Sequence, residues 1–304
     1  MCFFLIDISK AMIFPISFSI PVCKVLPNNS SCDKTKLLSS LIPGEVSTYI
    51  YPTEDLYYQE YQRSWFAVTR AKAGWDCLRH YEILANGCIP LFVDIENCPE
   101  NTMFSMPKKM LIEAHHLYDE MKGKDIKELD GVLLKKALEL RGRLLAHTQE
   151  FLTTKATAHY LLSKSNNSSV TSVLFLSGSA SPDYLRCLTL HGLKSVLGAK
   201  CHDFPKIQHI YKGNFSHLYG KGMSYTNLLP SELHDNKADN TIERDITEKK
   251  YDLVIYGSFH RGMLFYDLVN QHYSPDKIIL FCGEDFHECT AKTFNHPVFV
   301  RELI

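Results

Sequence analysis

The stretch GWDCLRHYEILANGCIPLF, Gly74 to Phe92, decides how this chain is read. From Trp75 to Asn86 its apolar residues recur at helical spacing; Gly87 stops the run, and Ile89–Val93 follows as a short apolar strand. At 100° per residue Cys77, Leu78, Tyr81, Leu84 and Ala85 share one face, which predicts packing on a sheet. Trp75, Arg79, Glu82 and Asn86 form a second line away from it. Lys72 and Gly74 sit in the loop before the helix. A glycine there lets backbone approach a ligand, and the N–H groups of a first helical turn favour an anion. Together with Lys72 and Arg79 this predicts a diphosphate clamp, with Glu82 accepting hydrogen bonds from hydroxyls. The same spacing suits a surface ion pair between Arg79 and Glu82, worth roughly a few tenths of a kcal/mol. Spacing alone leaves both readings open.

Outward from this motif, strands and helices alternate. Strands are expected at Ile13–Ile20, Ser47–Tyr51, Trp65–Thr69 and Ile89–Val93, with helices at Asp55–Gln62, Trp75–Asn86, Met110–Met121 and between Gly131 and Leu162. After the polar run SKSNNSSVT (Ser163–Thr171) the alternation resumes. Strands are expected at Val173–Leu176, Gln208–Tyr211, Leu253–Tyr256 and Lys277–Cys282, and helices at Pro182–Leu197 and Met263–Tyr273. Such alternation predicts α/β architecture with parallel sheets covered on both faces. The polar run reads as a linker. This gives a first domain over 1–163, a linker over 164–170 and a second domain over 171–304, facing each other across a cleft.

The chain has 304 residues, 45% hydrophobic, enough for two cores. A formal charge of −1 supplies no global basic field, which argues against nucleic acid or an acidic membrane as partner. Ten cysteines without a CxxC pair predict a reduced, cytoplasmic protein. A secreted protein with disulfides is the rival, to which sequons at Asn28, Asn29, Asn166, Asn167 and Asn214 lend weak support. The apolar opening MCFFLIDISKAMIFPISFSIPV lacks a basic start and is interrupted by Asp7, Lys10, Pro15 and Pro21. No stretch reaches the ~20 apolar residues of a membrane span. The first residues read almost as mid-strand, so a domain upstream is expected.

Arg79, the acid Glu82 and Gly87-Cys88-Ile89-Pro90 together resemble the signature of the exostosin-type glycosyltransferases, the animal heparan-sulfate polymerases and plant cell-wall transferases. Ser64-Trp65-Phe66-Ala67-Val68 looks like the Ser-x-Phe-x-Leu strand of that family, and the match spans about Ser64 to Pro107. The resemblance implies a GT-B-like fold of two Rossmann-like domains, a nucleotide-sugar donor and inverting transfer to a carbohydrate or other hydroxyl acceptor. It implies no essential metal or cofactor. Arg79 and Glu82 carry over as donor-site residues, and Gly87 to Pro90 as a helix stop and buried strand. The chain departs from the family in order. An acceptor half normally precedes the motif, whereas here a second α/β half follows it. Trp75-Asp76-Cys77-Leu78 stands where the family has Ser or Asp just before the Arg.

In open parallel sheets ligands bind outside the carboxyl ends of the strands. Three second-half loops fall there: Ser177–Asp183, Gly257–Gly262 and Gly283–Cys289. Asp183 reads as an acid in a first helical turn. His260 and Arg261, between glycines, suit phosphate binding, or His260 suits the general base. Asp285 with His287 forms a possible acid–imidazole pair and is the reserve base; backbone-bonded loop residues are the alternative for both. Cys282, His287 and Cys289 lack a fourth zinc ligand. The Gly- and aromatic-rich run Tyr211–Leu229 suits sugar rings or a loop packed on the sheet.

Overall fold

The computed structural model describes residues 12–28, 30, 33–178, 183–213, 225–285 and 294–304. His287, Cys289, Asn29, Asn214 and most of the Tyr211–Leu229 run lie outside these residues. The described chain builds two sheets, parallel at every pairing. The smaller contains β2 (Lys36–Leu38), β3 (Ser64–Thr69) and β4 (Ile89–Phe92), in the order β2-β3-β4. The larger contains β1 (Ile13–Pro15), β5 (Val173–Leu176), β6 (Cys201–Phe204), β7 (Leu253–Tyr256), β8 (Ile278–Cys282) and β9 (Val298–Val300). Their order is β1-β9-β8-β7-β5-β6. The central strands VLFL, LVIY and IILFC are buried along their whole length, as parallel strands covered on both faces must be.

Helices α1 (Glu54–Gln62), α2 (Leu78–Ala85), α3 (Lys108–Met121) and α4 (Gly131–Phe151) belong to the smaller sheet. Helices α5 (Thr154–Lys164), α6 (Tyr184–Leu197), α7 (Ile242–Thr247) and α8 (Tyr266–His272) belong to the larger. Several begin where a short polar side chain caps them. Thr53 accepts from the Leu56 N–H, Asp130 from Leu133 and Asp183 from Arg186. Helix α5 lies close on α6 because Gly192 has no side chain: a Cβ there would sit 2.0 Å from the Thr154 carbonyl oxygen.

The two halves are not separated by one linker. Strand β1 lies in the larger sheet. The chain leaves that sheet near Ile20, builds the smaller sheet and returns at Thr153. There the Ile20 N–H donates to Leu152 O and the Thr154 N–H to Ile20 O, both at 2.9 Å. The polar run expected to be a linker is held in place. Asn167 is buried; its Nδ2 donates to Ser165 O and Asp276 O, and its Oδ1 accepts from Lys277 Nζ at 2.6 Å. A glycan at Asn167 would have to displace those partners.

Two expected strands are instead 3-10 turns, Val46–Thr48 and Gln208–Ile210. Their β-favouring side chains are used otherwise. The Tyr51 hydroxyl donates to Glu60 Oε2 and that of Tyr211 to Asp203 Oδ1. The first strand ends at Pro15, shorter than expected, with the Ile16 N–H still donating to Val300 O at 3.0 Å. The helix expected from Trp75 starts only at Leu78, and the N–H groups of Trp75 and Asp76 ahead of it are bonded to Glu302. Its end follows expectation. Gly87 is left-handed (φ 60°), its N–H donates to Leu84 O, and the Cys88 N–H donates to Ile83 O. Pro90 then sits on β4, an edge strand that tolerates it.

Candidate active-site cleft

Loops following β2, β3, β5, β7 and β8 line one cleft of about 760 Å³, within the ~300–1,000 Å³ usual for small-molecule sites. It brings Lys72, Gly74, Arg79 and Glu82 together with Arg261 and Asp285. The sequence had assigned these to opposite halves. His260 is not among the lining residues. It is exposed, lies against the Phe259 ring, and its Nε2 is 3.2 Å from Cys282 Sγ.

One wall is aromatic. Tyr49 stacks on Tyr57 with ring centroids 6.5 Å apart, and Tyr57 meets Tyr61 edge-on at 5.1 Å. The Tyr57 hydroxyl donates to Glu82 Oε2 at 2.8 Å and lies 3.0 Å from the Tyr61 hydroxyl. Burial pushes both phenols well above their ordinary range. Glu82 is therefore turned inward, and no Arg79–Glu82 ion pair forms. The Arg79 guanidinium instead lies over the Tyr49 ring, 5.9 Å from its centroid. Among the described residues neither Arg79 nor Lys72 has a carboxylate within ion-pair distance. At this end of α2 the N–H groups of Leu78 and Arg79 have no helical acceptor.

Helix α2 is less two-faced than its wheel suggested. His80, Glu82 and Asn86 are buried as well as the apolar line. His80 sits with Nδ1 2.8 Å from Thr69 Oγ1 and Nε2 2.9 Å from Trp75 O, and burial lowers its pKa to about 3. Asn86 Nδ2 donates to Glu82 O, and its Oδ1 accepts from Gln62. Trp75 stacks on Phe92.

Beneath the cleft lies a charged network without a signal in local sequence. The close approach that Gly74 permits is made by the protein itself: a Cβ there would lie 2.5 Å from Glu302 Oε1. Glu302 Oε2 accepts the Trp75 N–H at 3.1 Å and Oε1 the Asp76 N–H at 3.0 Å. These amides had been expected to meet a phosphate; a buried carboxylate occupies them. Arg301, fully buried, donates through one terminal nitrogen to Asp76 O and Glu302 Oε1, through Nε to Gly283 O, and through the other terminal nitrogen to Asp285. The Asp76 carboxylate accepts the Phe18 N–H at 2.6 Å and the Tyr81 hydroxyl at 2.9 Å. Burial pushes its pKa up to about 6, even though Arg301 acts to lower it.

On the opposite wall Arg261 Nε donates to Asp183 Oδ2 at 3.1 Å, while Asp183 Oδ1 caps α6. Arg79 and Lys72 thus line the cleft without carboxylate partners among the described residues, whereas Asp285, about half exposed (49%), is paired with Arg301, and Glu284 lies 3.9 Å from Arg261. The tyrosine wall had a sequence signal, the dense run Tyr49 to Tyr61; Arg301 and Glu302 had none.

No family model, curated protein or solved structure matches this chain. Among the described residues no helix is long and apolar enough to cross a membrane. Seven cysteines there, at positions 23, 77, 88, 98, 187, 201 and 282, are free thiols.

Proposed function

We propose that this chain is a GT-B-like glycosyltransferase that moves a sugar from a nucleotide-sugar donor to a hydroxyl acceptor, with inversion. One observation carries the reading. Arg79 and Glu82, the residues of the family-like motif, line the same cleft as Lys72, Arg261 and Asp285. In this reading Arg79 and Lys72 take the diphosphate beside the start of α2, where a negative charge is also favoured by the helix. The tyrosine wall takes the flat faces of base or sugar. Asp285 removes the proton from the acceptor hydroxyl as the anomeric carbon develops positive charge, with Arg301 fixing the carboxylate's orientation. His260, whose ring faces Cys282, is not given that task.

A second reading is favoured by the same Arg301–Asp285 bond: a nucleotide-sugar-binding protein without turnover, because the tie engages Asp285 Oδ1 with Arg301 rather than with an acceptor hydroxyl. A nucleotide-sugar panel separates the two. A bound donor at 100 times its Kd adds about 2.7 kcal/mol of stability and raises the melting temperature. Transfer to added acceptors, or slow hydrolysis of the stabilising donor, supports the transferase. Stabilisation without turnover supports the binder, and no stabilisation by any member sinks both.

A further inference from the structure

Away from the cleft, on the outer edge of the larger sheet, three potential metal ligands converge. His202 stands on the edge strand β6, and His234 and Asp239 lie in the polar segment that folds over it. His202 Nε2 is 2.9 Å from Asp239 Oδ1, and His234 Nε2 is 3.1 Å from Asp239 Oδ2. One ligand atom from each residue lies within 4.8 Å of the others. The two imidazole rings are stacked, 5.0 Å between centroids.

We propose that His202, His234 and Asp239 bind one divalent transition-metal ion of the zinc type. Two imidazoles and a carboxylate are a donor set zinc accepts, with bonds of ~2.0–2.2 Å to each. Tetrahedral ligands at such bond lengths stand about 3.3–3.5 Å apart. The two histidine–carboxylate separations, each to a different oxygen of Asp239, therefore open by a few tenths of an ångström, while the three ligand atoms, now within 4.8 Å of one another, close onto the ion. The imidazole of His234 is already aimed: its Nδ1 lies 3.1 Å from Asp203 Oδ1, which leaves Nε2 pointing at the common centre. A carboxylate behind a ligating histidine is the usual outer support of a metal site. Asp203 is itself held by Lys194 Nζ at 3.0 Å, by the Tyr211 hydroxyl and by the Ile207 N–H. The histidines are buried, whereas Asp239 is about a quarter exposed (27%). The fourth position therefore opens toward solvent and takes water. A bound ion ties the segment 234–239 to β6, covering an edge that would otherwise present unpaired backbone.

The test is cobalt and zinc loading of the whole protein after chelator treatment and gel filtration. One equivalent is expected to remain, and Co2+ should give visible d–d bands without a thiolate charge-transfer band. His202→Ala and Asp239→Ala should each lower zinc affinity at least tenfold and abolish the zinc-dependent rise in melting temperature. Less than one equivalent in the parent overturns the proposal, as does a thiolate band, or equal loading of both variants. If a variant fails to fold, the cobalt spectrum of the parent alone decides between imidazole and thiolate ligands.

Discussion

The Glu302 carboxylate holds the backbone N–H groups of Trp75 and Asp76, residues 227 and 226 positions earlier in the chain. Its oxygen also receives Arg301, and both side chains are fully buried. Breaking a buried pair from one side leaves an uncompensated charge, so Glu302→Ala should destabilise by about 3–5 kcal/mol in urea unfolding. Gly74→Ala should also destabilise, because its Cβ would meet this carboxylate. In the Glu302→Ala background that penalty should shrink by more than about 1 kcal/mol. Additive costs would show that some other contact requires the glycine.

Arg79→Ala is expected to weaken donor binding by ~1.5–3 kcal/mol if its guanidinium meets a phosphate. Folding stability should change little, since the guanidinium lies over Tyr49 without a carboxylate partner among the described residues. Calorimetry with the stabilising nucleotide sugar, alongside a melt, checks both. A variant that melts early yet binds donor normally makes Arg79 structural.

Asp285→Asn should lower turnover about 100-fold or more, with donor affinity retained. His260→Ala should turn over close to the parent rate, because its ring lies against Phe259 and its Nε2 against Cys282. The opposite pattern would return the base to His260.

Asp76 makes stability depend on pH with an unusual sign. Its folded pKa of about 6 lies above the ordinary carboxylate value, with burial the main cause. Stability from this group is therefore full below about pH 4 and is lost as pH rises through 6. Arg301, Glu302 and the Tyr81 hydroxyl are the charged and titratable groups around it. Asp76→Asn keeps an oxygen for the Phe18 N–H and removes the titration. Between pH 4 and 7 the parent should lose on the order of 2–3 kcal/mol relative to this variant. Parallel pH profiles of the two proteins would contradict the assignment.

Cys88 should resist thiol reagents in the native state. It is buried on β4's approach, with Sγ 3.6 Å from Trp65 O, and burial pushes its thiol up to about 12. Among the described cysteines, exposed Cys23 should label before Cys88. Rapid labelling of Cys88 by mass spectrometry refutes this.

Local chemistry made part of this molecule legible. The helix stop at Gly87 and the buried strands around Val173, Leu253 and Ile278 rest on neighbours within a few residues, whereas Asp183, read as an acid inside the first turn, is the residue that caps α6. Strands β6 and β9 escaped notice because pairing, not composition, makes them strands; CHDF carries His202 and Asp203 in a ladder. The cleft was half legible. Lys72, Arg79 and Glu82 are linked by helical spacing, but Glu302 reaches Gly74 only through tertiary folding. For the same reason Glu82 was read as outward-facing, since a helical wheel does not show that Tyr57 waits on the other side.

The placement of β1 sets an order of events during synthesis. Residues 13–15 find their only ladder partner, within the described sheet, at residues 298–300. Until β9 leaves the ribosome, β1 has no strand beside it, although the smaller sheet between them already has all its parts. Contacts this distant in sequence form late and expose apolar strands meanwhile. The nascent chain therefore carries an unsatisfied, sticky edge from the synthesis of β1 until that of β9, and that interval is where a holdase would act on it.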